Sequence, residues 1–350
     1  MIALTTMAFS QAATIDIDPI RLAGSALDRT GSPSTSCAVV VMSADGQVVV
    51  GYGTPVSGSR TTGFTWTKKD GVKPLSWPKE VAEAFSFCMA TSISDDGRVV
   101  AGMALWMASD SAIHPIFKRA EAPTTVLGKF PLSDGKIGPI NSDGRMMVVE
   151  VESAIGSKLF WWRSGSGLSP ILGKGKQRLT GTISDLTPDG KVAVGATFKE
   201  PDWHGFVVTT NSYREIPKLS GFKSAIATHV TADGRTVFGY FDDIDTGRGF
   251  RWNLSESKPN QLPSGFALGA VTNNGEVVAG TYKNQPALLF AGRVIGLRQL
   301  FSQRLPQESF ERWRPVAARK TKTDLFILVD TGSETTDYRI RIPLTILKRL

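Results

Sequence analysis

The chain has 350 residues, of which 41% are hydrophobic, with 35 Gly and 19 Pro. That length can bury a large core, and no run of 18 apolar residues is present to form a membrane-spanning helix. The formal net charge is +8, and residues 291–350 hold 12 Lys or Arg against 6 Asp or Glu.

Residues 1–13 carry no charged side chain, and Ser10-Gln11-Ala12 is a small-x-small pattern. The segment reads as the remnant of a secretory signal that lacks its basic start. Residues 14–350 read as one domain.

Six copies of one turn follow. They are centred on Asp45, Asp96, Asp143, Asp189, Asp233 and Asn274, each followed by Gly, at spacings of 51, 47, 46, 44 and 41 residues. A strand-rich period of that size is the signature of a propeller. Asp-Gly between apolar runs marks a hairpin, because Gly reaches positive φ and Asp bonds its own turn backbone. Two residues before each turn stands Ser43, Ser94, Asn141, Thr187, Thr231 or Thr272, all able to cap it. Three before is always apolar and faces a core. Five before is mostly small (Val40, Thr91, Gly138, Ser184, Thr228, Gly269), which suits close approach near an axis. Six residues after the turn is a Gly in five copies, with Val149 in the third.

A third strand carries aromatics such as Phe64, Trp66, Phe160, Trp161, Trp162, Phe250 and Trp252, expected as packing between units. A fourth ends in Leu, Ile or Pro. The C-terminal region supplies three more strands, with Thr323-Asp324 at the turn. Ile15 to Leu22 resembles the fourth strands. The expectation is an all-β single propeller of seven four-stranded blades, closed by pairing the chain ends, with turns near 45, 96, 143, 189, 233, 274 and 323. Six blades is the alternative. Pro343 to Leu347 competes for the closing fourth strand.

These turns, together with linkers such as Leu219-Ser220-Gly221-Phe222 and the segment Leu297-Arg298-Gln299-Leu300-Phe301, resemble the HAF-type extracellular repeat of bacterial exported proteins. The likeness spans about residues 35–345. It implies a propeller outside the cytoplasm, in periplasm, cell surface or medium, and no defined activity.

The chemistry-bearing residues are few. His114, His204 and His229 fall in different repeats, with no His-Glu-x-x-His or Cys-x-x-Cys, so no metal or other cofactor is called for. Arg163-Ser164-Gly165-Ser166-Gly167 lacks the first Gly of a nucleophile elbow. The turn carboxylates are spread around the ring and read as turn formers, not calcium ligands. Asp185 and His229 share a register in neighbouring repeats, a structural polar contact before a catalytic pair. No convergent catalytic set is read from the register, and no catalytic residue is assigned. Cys37 and Cys88 hold one register in adjacent repeats, compatible with a disulfide or with two packed thiols.

Function is expected where the repeat lapses. The loops between second and third strands lie on one face with the fourth-to-first linkers. They carry Trp106, Asp202, Trp203, His204, Asp243, Asp245 and Arg248, read as a binding rim around the channel mouth. The leading expectation is a monomeric, non-enzymatic binding or scaffold protein that takes a protein or glycan partner on that face. The alternatives are a glycan lyase or hydrolase with a channel-mouth site, and a polyanion or membrane-surface binder using the basic C-terminal unit. No nucleic-acid motif is present.

Overall fold

A computed structural model describes residues 14–21, 36–54, 61–75, 87–105, 113–119, 125–126, 135–153, 156–242, 248–301, 312–332 and 336–349. The 28 strands of the described residues belong to antiparallel four-strand units. Strand β1 (Asp16–Arg21) is set aside for the last of them. Unit 1 holds β2 (Ser36–Met42), β3 (Val49–Thr54), β4 (Thr61–Thr67) and β5 (Gly71–Pro74). Unit 2 holds β6 (Phe87–Ile93), β7 (Val99–Leu105), β8 (Ile113–Arg119) and β9 (Thr125–Val126). Unit 3 holds β10 (Gly135–Ile140), β11 (Met146–Val151), β12 (Lys158–Arg163) and β13 (Gly167–Pro170). Unit 4 holds β14 (Thr182–Leu186), β15 (Ala193–Lys199), β16 (Asp202–Val208) and β17 (Tyr213–Glu215). Unit 5 holds β18 (Ala225–Val230), β19 (Thr236–Phe241), β20 (Gly249–Asn253) and β21 (Asn260–Gln261). Unit 6 holds β22 (Phe266–Val271), β23 (Val277–Tyr282), β24 (Gln285–Phe290) and β25 (Arg293–Gly296). Unit 7 joins β26 (Arg314–Lys320), β27 (Asp324–Asp330) and β28 (Thr336–Pro343) to β1.

Counted as hydrogen-bonded sheets, the propeller has six members among the described residues, the alternative count, and not the expected seven. Five have four strands. The sixth has eight, because β4 and β6 pair in parallel at Thr61↔Phe87 and Thr62↔Cys88 and so fuse units 1 and 2. The chain ends meet as expected: β1 pairs with β28 from Asp16↔Arg341 to Arg21↔Thr336. Pro343 to Leu347 is not the fourth strand; after β28 the chain turns into helix α2 (Leu344–Leu347), preceded in sequence by helix α1 (Leu297–Leu300).

The turn works as its residues dictate. The Ser94 hydroxyl donates to Asp96 Oδ1 at 2.6 Å and accepts from the Val99 N–H at 2.9 Å, while the same Asp oxygen accepts from the Arg98 N–H. Thr187 with Asp189, Thr231 with Asp233 and Thr272 with Asn274 repeat this set. Gly144 shows why the turn ends in Gly. Its φ is +65°, and a Cβ there would lie 2.6 Å from the Val99 side chain of unit 2. Units 1 to 6 each thus seat a side chain of the preceding unit in the hollow over the turn. The ring closes the same way, with Phe326 of unit 7 over Gly46 of unit 1.

Each inner strand contains a bulge, at Val39/Val41 in unit 1, Ala90/Ser92 in unit 2 and equivalent places through Pro315/Ala317 in unit 7. The extra residues include Val40, Thr91, Ser184, Thr228 and Gly269, the small positions of the sequence pattern. Val40, Thr91, Ser184 and Thr228 line the central channel, while Gly269 lies close against the Pro315 carbonyl. Where Val149 replaces the usual Gly, Pro139 sits in the bulge, which spares a ladder donor. The core is carried between units by buried aromatics, including Phe64, Trp161, Phe206, Phe250 and Trp252.

A buried clasp joins the ends. Arg339 on β28 donates to Asp18 of β1 from Nη2 at 2.7 Å and Nε at 3.2 Å, and from Nη1 to the Gly46 carbonyl at 2.7 Å. Its guanidinium lies 5.0 Å from the Trp66 ring and 5.4 Å from the Phe326 ring. The basic C-terminal residues are thus partly consumed within the fold. Arg341 pairs with Asp16 and Asp324, and Lys320 with Glu276. Arg312, Arg314, Lys322, Lys348 and Arg349 face solvent.

Candidate functional site

The β15–β16 hairpin of unit 4 carries Asp202, Trp203 and His204. Its register places Phe198 opposite Trp203 and Lys199 opposite Asp202. Phe198 is 52% and Trp203 37% exposed, and their rings pack 5.3 Å apart. They are the two exposed aromatics among the described residues. Alternation along the strands turns the neighbouring charges to the other face of the hairpin. His204 Nδ1 contacts Glu215 Oε1, Lys199 Nζ lies 3.3 Å from Glu215, and Lys218 Nζ lies 3.5 Å from Asp202. Burial pushes the Glu215 carboxyl up, but the His204 and Lys199 contacts together hold it below its ordinary value.

Arg248, from unit 5, joins this neighbourhood through relays. The Trp203 N–H donates to Ser224 Oγ at 3.0 Å, the Ser224 N–H to Asp242 Oδ1 at 2.9 Å, and Arg248 Nη1 lies 3.2 Å from Asp242 Oδ2. The Arg248 guanidinium sits 5.4 Å from the Phe222 ring. Asp202, Trp203, His204 and Arg248 therefore share one inter-unit corner, but Arg248 makes no direct bond to the other three. Trp106, Asp243 and Asp245 lie outside the described residues. Cys88 is buried and the Cys37 side chain lies outside the described ones, so the disulfide expectation does too.

None of Asp202, Trp203, His204 or Arg248 lines the channel. Asp202, Trp203 and His204 stand on the third strand of unit 4 and Arg248 just before the third strand of unit 5, while inner strands form the channel wall. Phe198 escaped the sequence reading, although a tight hairpin over Lys199–Asp202 places it opposite Trp203.

The channel holds a second constellation, of titratable residues that line one cavity. Inner strands of all seven units enclose a cavity of about 440 Å³. Asp95, Glu150, Asp185, His229 and Arg319 face it. Glu150 is engaged, its Oε1 accepting from Thr182 Oγ1 at 2.9 Å and the Ile183 N–H at 3.0 Å. Asp185 accepts from the Leu186 and Val230 N–H groups, each at 2.8 Å, and so ties unit 4 to unit 5. Burial pushes its carboxyl up to about 6, against those two bonds and the attraction of Arg319. Burial also raises Asp95, again opposed by Arg319. His229 Nδ1 bonds Thr228 Oγ1 at 2.9 Å, and burial, with the Arg319 charge, pulls its pKa down to about 4. The expected His229–Asp185 contact is absent; each has its own partners.

Fold and site define a closed all-β propeller with a polar central channel and an aromatic corner on its loop face. No family model and no curated protein sequence matches the chain. Among solved structures it is similar to the β-propeller domain of the Trilobed protease from Pyrococcus furiosus, at 10% identity and a TM-score of 0.57, over 89% of this chain and 98% of that one. It is similar to prolyl oligopeptidase B from Galerina marginata, at 12% identity and a TM-score of 0.57, over 88% of this chain and 49% of that one. This chain thus spans about half that protein's length. TolB from Acinetobacter baumannii is similar at 12% identity and a TM-score of 0.43, over 86% of this chain and 81% of that one. These likenesses show the propeller fold and nothing finer.

Proposed function

We propose that this chain is an exported, non-enzymatic binding propeller of seven repeat units that holds a polypeptide partner against the unit 4–unit 5 corner of its loop face. The observation that carries this reading is the exposed Phe198–Trp203 pair on one face of the β15–β16 hairpin, with the Lys199–Glu215 and Lys218–Asp202 ion pairs beside it in the same unit. An aromatic centre with a charged rim is the anatomy of a protein-interface hot spot. The two rings are tilted by 58°, which favours an irregular polypeptide surface over the flat face of a sugar. Export is supported by the uncharged residues 1–13 and by the likeness to HAF-type repeats. The polyanion reading is weakened because Arg339, Arg341 and Lys320 are paired internally.

The test compares wild type with Phe198→Ser/Trp203→Ser in retention of envelope proteins and of a polysaccharide panel. Loss of a hot-spot pair is expected to weaken protein retention about 30-fold or more. Equal protein retention by both forms refutes the site. Retention of polysaccharide alone, lost in the variant, refutes the polypeptide partner in favour of a glycan.

A further inference from the structure

Arg319 occupies an unusual place. Ala318 pairs with Ile327 as Met42 pairs with Val49, so Arg319 takes the position of Ser43 and its equivalents, the turn caps. Unit 7 has no Asp-Gly turn to cap, and the side chain enters the channel. Nη1 donates to the Ala318 carbonyl at 3.1 Å. Nε is sealed from solvent and has no acceptor.

Asp95, in unit 2 and so one unit removed from unit 7 round the ring, is equally unusual. It stands one residue before a turn, where other units have Ala44, Ser142, Pro188, Ala232 or Asn273. Its backbone is fixed, since its N–H donates to the Ser142 carbonyl and its own carbonyl accepts from Ala44, both at 3.0 Å. Its carboxylate is not among the hydrogen-bonded groups of the described residues. Asp185 keeps lone pairs beyond its two backbone bonds. Arg319 feels the charge of both carboxylates, yet neither lies within the 4.0 Å of an ion pair among the described residues.

Charges taken from water are normally paired. Here the Arg319 Nε lacks an acceptor and the Asp95 carboxylate lacks a donor, at a cavity the size of a small-molecule site. A simple anion meets Asp95 and Asp185; a simple cation meets Arg319. A molecule with both charges satisfies both groups. We infer that the central channel binds a small zwitterion, a free amino acid, with its carboxylate on the Arg319 guanidinium and its ammonium on Asp95 and Asp185. The fork suits a carboxylate, and an ammonium supplies three donors for the facing oxygens. The neutral His229 adds a polar wall without a competing charge.

The test is calorimetric titration of the full chain with each of the common L-amino acids. Any binder is then titrated as its N-acetyl and carboxamide derivatives. Binding by at least one amino acid is expected, weakened tenfold or more by either cap, by Arg319→Gln and by Asp95→Asn. Asp95→Asn removes no protein hydrogen bond, so it reports on binding even where Arg319→Gln unfolds the channel. The inference is overturned if no amino acid binds, if a capped form binds as tightly, or if folded Asp95→Asn binds as wild type does. Phe198→Ser/Trp203→Ser leaves the titration unchanged, which separates this site from the loop-face corner.

Discussion

Replacing Arg339 by Met tests how the ring is held shut. The arginine side chain is 3% exposed and its partner Asp18 11% exposed. The variant loses both bonds to Asp18, the bond to the Gly46 carbonyl and the stacking on Trp66 and Phe326, while Met refills most of the volume. Removing one partner of a buried pair costs about 3–5 kcal/mol, because the other charge is left in low dielectric. Lys68 still reaches Asp18 Oδ1 at 2.8 Å but is 58% exposed, so it offsets only about 0.5–1 kcal/mol. The expected net loss is about 2–4 kcal/mol, or about 3–5 °C in melting temperature at the usual entropy per residue for a chain of this length. Burial raises the Asp18 carboxyl, but Lys68 and Arg339 more than reverse it and hold it below its ordinary value. The clasp is therefore fully formed above the unfolded carboxyl pKa, and its contribution is lost as pH falls through the lower folded value. Urea unfolding followed by circular dichroism at pH 7 and pH 3 measures both effects. The gap between wild type and variant is expected to narrow at pH 3, and Asp18→Asn/Arg339→Met to lose less than Arg339→Met alone. A variant within about 0.5 kcal/mol of wild type at pH 7, the ordinary range of a surface change, refutes the clasp.

Gly144→Ala and Gly71→Ala separate turn strain from interlock. Both glycines have positive φ, at +65° and +69°, but a Cβ on Gly71 meets nothing within 4 Å while one on Gly144 meets Val99 at 2.6 Å. Thermal melts are expected to show about 1 kcal/mol lost for Gly71→Ala and about 2–4 kcal/mol for Gly144→Ala, where overpacking adds to strain; equal losses discount the interlock. The channel predicts a pH effect as well. Asp185, raised to about 6, makes stability fall as pH rises from about 4 to 6, because the folded state keeps a proton the unfolded state has lost. His229, lowered to about 4, makes stability rise between about 4 and 6.5, so the two oppose each other. Relative to wild type, His229→Gln is expected to shift the slope of unfolding free energy between pH 4.5 and 6 by about −1.4 kcal/mol per pH unit. Parallel slopes would show that His229 is not held neutral by the channel.

Everything that acts within about five residues was legible in the chain. The hydroxyl–Asp–Gly turn, the apolar position before it, the small bulge residue and the packing aromatics all follow from local hydrogen bonding and strand alternation. The closure by β1 was legible too, because a fourth strand without a unit and a unit without a fourth strand complement each other. The fusion of units 1 and 2 into one sheet was not. It rests on two residue pairs, Thr61↔Phe87 and Thr62↔Cys88, which no periodicity encodes. Signs of the channel site were present, since Asp95 and Arg319 each break a column of small or capping residues. Their meeting was not legible, because it needs the whole ring.

Sequence by itself determined the repeat, the strand order within each unit and which residues are spent on turns. Those are short-range matters of backbone conformation and alternation. Only the tertiary structure decided that Asp95, Asp185, His229 and Arg319 face one cavity, and that Phe198 joins Trp203 outside it. Closing a ring brings inner strands from distant parts of the chain around one axis, and there long-range electrostatics, which leaves no period in a sequence, takes over.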